Sequence, residues 1–126
     1  MINEHKNIVI DLDGTICSKL KEGQNYKDLT INKEVVKKLK EYQLKGFYII
    51  IYTSRNMRTY KGNVGKINAN TLKIAMEWLD KNKISYDEIH IGKPWCGKGG
   101  FYVDDKCIRP DEFIEKTEEE INKLIN

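Results

Sequence analysis

A chain of 126 residues, 40% hydrophobic and 33% charged, holds one domain with one core and is too apolar to stay disordered. Its formal charge of +3 comes from lysines spread beside glutamates on helix faces, which argues against a nucleic-acid partner. Cys17, Cys96 and Cys107 are widely spaced without a CxxC pair, so neither a disulfide framework nor a zinc site follows. Met1, Asn3, Glu4, His5 and Lys6 lead into a short apolar run that is neither a signal peptide nor a membrane span. The expectation is a reduced cytoplasmic protein with no membrane partner. His5 and His90 have no metal-ligand spacing and read as structural.

Four apolar runs, rich in β-branched residues and bounded by glycines, predict buried strands: residues 7–12, 46–52, 88–91 and 101–103. The first run delivers Asp11 and Asp13 into the turn made by Gly14 and Thr15. Residues 16–30 are too polar for core and predict a flap hairpin. Asn32 then caps a helix whose apolar stripe is Val35, Val36, Leu39 and Tyr42, with Gly46 as its stop. After the second strand, residues 55–70 predict a long loop containing Gly62 and Gly65. Asn70 is placed as the cap of a second helix carrying Leu72, Ile74, Ala75, Trp78 and Leu79 to near Asn82. Pro110 opens a last helix with Phe113, Ile114, Ile121 and Leu124 on one face.

Strands alternating with helices predict an α/β fold with a mainly parallel sheet. Ligands of such sheets bind beyond the carboxyl ends of the strands. Each predicted strand ends in polar residues: Asp11 with Asp13, Thr53 with Ser54, Lys93, and Asp104 with Asp105. Alternation puts Asp11 and Asp13 on one side, where two carboxylates repel unless a cation, a proton or a charged ligand joins them. Carboxylates with waters and phosphate oxygens suit Mg²⁺. A carboxylate can also attack phosphorus, a second can move protons, and Lys93, Thr53 and turn amides can neutralise phosphoryl charge.

The run Asp11-Leu12-Asp13-Gly14-Thr15, then Thr53 after an apolar strand, then Lys93, then Asp104-Asp105, resembles the haloacid dehalogenase (HAD) superfamily of phosphatases over nearly the whole chain. That resemblance implies a single HAD-like hydrolase domain over 1–126, with a three-layer Rossmann-like core, a flap after strand 1 and no cap domain. It implies Asp11 as nucleophile and Mg²⁺ ligand, and Asp13 as general acid/base whose backbone carbonyl also binds the metal. Asp104 and Asp105 would complete the metal shell, Thr53 would bond the phosphoryl group, and Lys93 would offset its charge. Residues 55–60, 62–68 and 92–97 further resemble the small capsule-biosynthesis phosphatases of bacteria, implying a sugar or polyol phosphate as substrate. Gly14, Ser54, Arg55, Arg58 and Lys66 are the candidate substrate contacts.

The intervals after the first strand and before the third are each about forty residues, too short for a cap domain. The site is therefore open, or covered by a neighbouring subunit of a homo-oligomer. Trp95 and Tyr26 could stack on a sugar or serve the fold, and Cys17 reads as structural. The alternatives are a phospho-receiver module and a non-catalytic phosphate-ligand-binding domain. A receiver carries its acidic pair on the first strand and its lysine on the last. Here the last run ends in Asp104-Asp105, which disfavours it.

Overall fold

Strand β1 (Asn7–Ile10) pairs in parallel with β2 (Tyr48–Tyr52), which pairs in parallel with β3 (Glu88–His90). These strands and five helices belong to a computed structural model that describes residue 4 and residues 6–126. Met1, Asn3 and His5 lie outside the described residues, and the expectation for His5 with them. Among the described residues the sheet order is β1–β2–β3, so β1 and β3 are its edges.

The register sets Ile8 beside Ile49 and Ile10 beside Ile51, so one sheet face is a block of isoleucine. That face packs on Val35, Val36, Leu39 and Tyr42 of α1 (Lys33–Leu44) and on Ala75, Trp78 and Leu79 of α3 (Leu72–Lys81). The other face carries Ile50, buried, and Val9, which is 61% exposed. This is the expected α/β core on a parallel sheet, without a cap domain.

The first helix starts where expected, because the Asn32 side chain accepts the Val35 amide at 3.3 Å. Gly46 ends it at φ +92, a conformation that excludes most other residues. The flap is also present. The Ser18 amide donates to the Thr30 carbonyl at 2.9 Å, and the Asn32 amide to that of Ile16 at 2.7 Å. The Trp78 indole donates to the Leu29 carbonyl at 2.8 Å and ties the base of the flap to α3.

Three expectations need correction. Residues 55–70 are not one loop, since they contain α2 (Val64–Asn70). Asn63 caps it by accepting the Lys66 amide at 3.1 Å, and buried Ile67 anchors it. Asn70 is therefore the end of that helix rather than the cap of the next. The C-terminal helix is two, α4 (Pro110–Glu115) and α5 (Glu118–Ile125), because Thr117 and Glu120 form a capping box that starts a new helix. Stacking of Phe113 on Tyr42, with centroids 5.4 Å apart, fixes α4 against α1.

The third concerns residues 101–103, which form no strand. They lie in no regular element, with Phe101 79%, Tyr102 49% and Val103 87% exposed. The cause lies in the connection. Only residues 91–100 separate β3 from Phe101 and they contain no helix, whereas a parallel crossover takes about a dozen residues or more, usually helical.

Among the described residues, no helix is long and apolar enough to cross a membrane. Leu39, 1% exposed beneath the sheet, should lose about 3 kcal/mol of stability as Leu39→Ala. Leu44→Ala, at a position 90% exposed on the same helix, should stay within about 0.5 kcal/mol of the parent in urea unfolding.

Candidate active site

The site begins with a residue that is not polar. Leu12 is fully buried, and its carbonyl accepts the amides of Thr15, Ile16 and Cys17 at 3.2, 3.0 and 3.1 Å. With Leu12 turned into the core, Asp11 and Asp13 on either side of it come out together at the carboxyl end of β1. Gly14 turns the chain at φ +86, and a Cβ there would lie 3.0 Å from the Cε of Lys19.

Asp11 is partly buried. It accepts the Thr15 hydroxyl at 3.2 Å and faces the Lys93 ammonium at 3.7 Å. Burial pushes its carboxyl above the ordinary carboxylate range, opposed by Lys93, the Leu12 amide and the Thr15 hydroxyl, with the charge of Asp13 adding a smaller upward push. A carboxylate oxygen is a ligand of the kind that Mg²⁺ takes, and Asp11 supplies one here.

Asp13 is held differently. Arg55 donates from Nε to Oδ2 at 3.0 Å and from Nη2 to Oδ1 at 2.8 Å, a two-pronged grip that fixes the plane of the carboxylate. The Arg55 side chain is 1% exposed, and its guanidinium carbon lies 4.3 Å from the ring centroid of Tyr26, on the flap. Its Nη1 is buried with no hydrogen-bond partner among the described residues. Arg55, expected as a substrate contact, is thus committed to Asp13. Cys17 sits below, its thiol 3.4 Å from Asp13 Oδ1, and burial with the adjacent carboxylate pushes its pKa up to about 12. It has the inert character expected of it.

Thr53 and Lys93 arrive on neighbouring strand ends. The Thr53 amide donates to the His90 carbonyl at 2.9 Å, and the Lys93 amide to the Thr53 carbonyl at 3.2 Å. The Thr53 hydroxyl accepts the Arg55 amide at 3.1 Å, which leaves its own proton to donate. Ser54 opens the following turn, its carbonyl accepting the Met57 amide at 3.0 Å. Arg58 is exposed and lies 5.7 Å from the ring centroid of Trp95, itself 44% exposed. Lys66 is exposed on α2. His90 is paired with Glu88 at 2.7 Å.

The structure therefore gathers Asp11, Asp13, Lys93 and Arg55. Asp104 and Asp105 are exposed, and Asp104 accepts the Lys106 amide at 2.9 Å. Among the described residues no three His, Cys, Asp or Glu side chains form a group able to hold a metal. The acidic pair is not brought to Asp11, for the same reason that residues 101–103 form no strand. Two roles escaped the sequence reading: the grip of Arg55 on Asp13 and the Tyr26 ring above it. An arginine two residues after Thr53, at the end of a strand adjacent to β1, was the available clue to the first.

Residues 8–87 match the family described as haloacid dehalogenase-like hydrolase. A crystal structure of a target protein from Vibrio cholerae is 50% identical, with a TM-score of 0.91, over 95% of this chain and 96% of that one. A chain of the Pnkp1/Rnl/Hen1 complex, 22% identical with a TM-score of 0.51, covers 90% of this chain and 36% of its own length, and speaks for the fold alone. None of the curated proteins matches.

Two predictions follow from the packing around Asp13. Arg55→Ala strands a carboxylate that is 25% exposed, so solvent reduces the cost of breaking the pair to about 2 kcal/mol. Arg55→Lys should recover the charge but not the two-pronged geometry, restoring part of that loss in thermal or urea unfolding. Iodoacetamide at about pH 8 should label exposed Cys107 in the native protein and reach Cys17 only after unfolding, as read by peptide mass spectrometry.

Proposed function

Since the chain belongs to the haloacid dehalogenase-like hydrolases, we propose that it is a Mg²⁺-dependent phosphomonoester hydrolase working through phospho-Asp11. The observation that carries this reading is the pairing of a desolvated Asp11, faced by Lys93 at 3.7 Å, with an Asp13 held in a fixed plane by Arg55. In this reading Asp11 attacks phosphorus and Asp13 moves the proton.

In the first step an Asp11 carboxylate oxygen bonds to phosphorus and the ester P–O bond breaks. The departing alkoxide takes a proton from Asp13. In the second, Asp13 removes a proton from water, whose oxygen attacks phosphorus. The Asp11–phosphorus bond then breaks, freeing inorganic phosphate and restoring the carboxylate. Lys93 and the Thr53 hydroxyl balance the charge on the phosphoryl oxygens. Bound Mg²⁺, held by Asp11 and the Asp13 backbone carbonyl, would neutralise phosphate charge, and Asp104 and Asp105 do not reach that position within the chain.

For the substrate we infer a sugar or polyol phosphate from polysaccharide-precursor metabolism, in the cytoplasm. The support is the likeness of the 55–68 and 92–97 segments to capsule-biosynthesis phosphatases, with Arg58 and Lys66 exposed and Trp95 open beside them. Arg55 leaves the set of substrate contacts.

Hydrolysis of p-nitrophenyl phosphate should require Mg²⁺ and stop in EDTA. Asp11→Asn should lose on the order of 10⁴-fold or more in kcat, and Asp13→Asn about 10²- to 10⁴-fold, with both variants folded by circular dichroism. Absence of Mg²⁺-dependent turnover on this ester and on a broad sugar-phosphate panel would sink the reading. On the best sugar phosphate, Arg58→Ala and Lys66→Ala should raise KM with little change in kcat.

A further inference from the structure

The polypeptide from Lys98 to Cys107 is an arm. All ten residues are exposed and none lies in a helix or a strand. Its centre, Phe101-Tyr102-Val103, is made of strong strand formers, 79%, 49% and 87% exposed. Apolar residues of this kind in a row, open to water, form a surface suited to pairing. The next two residues are Asp104 and Asp105, the acidic pair that the rim around Asp11 does not receive.

The arm is rooted on the wrong side of the sheet to dock in its own subunit. The Tyr102 hydroxyl donates to the Pro94 carbonyl at 2.6 Å, and its ring lies 4.5 Å from the Lys93 ammonium, next to the end of β3. β3 and β1 are both edges among the described residues, and the β1 edge lies two strand spacings away, about 10 Å. Residues 91–100 are the whole connection and contain no helix, too short and irregular a link for a parallel crossover. Nothing in that argument prevents the arm from reaching a second molecule.

The receiving edge is built for it. Val9 of β1 is 61% exposed although its neighbour in register, Ile50, is buried, so the apolar strip of that face stops short at the edge. Beyond the end of β1 the charge is complementary to two carboxylates. Lys19 lies across the Gly14 turn and makes no ion pair among the described residues, and the one carboxylate paired with Lys93 among them is that of Asp11.

We propose that two copies of this chain exchange arms, Phe101–Val103 of one adding as a fourth parallel strand to the β1 edge of the other. Asp104 and Asp105 of each copy then emerge at the rim that carries Asp11 and Asp13 of its partner. The exchange is reciprocal, so one two-fold interface completes two sites. Each site is composite: nucleophile and proton carrier from one chain, the second acidic pair from the other. The strand exchange stands on the fold, and only its consequence for catalysis rests on the phosphatase reading.

Light scattering on the full-length wild-type chain should give a mass of twice 14.7 kDa. In a Cys96→Ser/Cys107→Ser background, Val9→Cys and Val103→Cys are then introduced, each at an exposed position. Oxidising a mixture of the two single variants should join different chains. The same two substitutions in one chain should give covalent dimers rather than an internally bridged monomer. A monomeric mass, an internally bridged monomer, or a dimer with no bridge between these positions would each overturn the exchange.

For catalysis, Asp11→Asn is refolded together with Asp104→Asn/Asp105→Asn. Each variant alone should be inactive on p-nitrophenyl phosphate with Mg²⁺. Random pairing should restore turnover at about one site in four, because one site of each mixed dimer regains a full set of carboxylates. Bridging without restored turnover would leave the interface standing and remove the shared site. Wild-type inactivity would instead strike the phosphatase reading.

Discussion

Two carboxylates one residue apart cannot both be left to repel at the end of a buried strand, and the structure treats them by different means. Asp11 is desolvated and only partly compensated, by an ammonium beyond direct hydrogen-bond distance. Asp13 is given a guanidinium of its own, at 2.8 and 3.0 Å. The asymmetry separates two chemically identical groups into one that is desolvated and one with a set orientation, the division on which the proposed roles of nucleophile and proton carrier rest. Most of the remaining architecture serves that division. Leu12 locks the spacing, β2 supplies Arg55 from the strand next door, and the β3 end supplies Lys93.

Arg55 also links the site to the flap. A guanidinium under an aromatic ring keeps its face attracted to the π cloud while its edge donates to the carboxylate, so Tyr26 and Asp13 share one side chain without competing for it. The flap therefore forms part of the surroundings of Asp13.

Much of this was readable in the residues, because local rules and tertiary demands agree there. The isoleucine-rich strands, the Asn32 cap, the Gly46 stop and the Asp11–Asp13 spacing all follow from short-range chemistry. Where the reading failed, a longer-range competitor decided. Asn63 captured a helix from a stretch polar enough to pass for a loop, and Thr117 split another whose apolar stripe looked continuous. Phe101–Val103 has every local mark of a strand, but strand formation needs a neighbour, and the length of the preceding connection controls access to one. Arg55 looked like a surface arginine because its burial depends on a flap some thirty residues earlier, a contact that sequence distance hides.

The carbonyl of Leu12 receives three amides while its side chain fills the centre of the core. Loosening at this residue would therefore disturb the core and the Asp11–Asp13 turn together. Many enzymes place their reactive groups on mobile loops that soften before the scaffold does. Here the turn that carries Asp11 and Asp13 is wired to the least exposed part of the molecule.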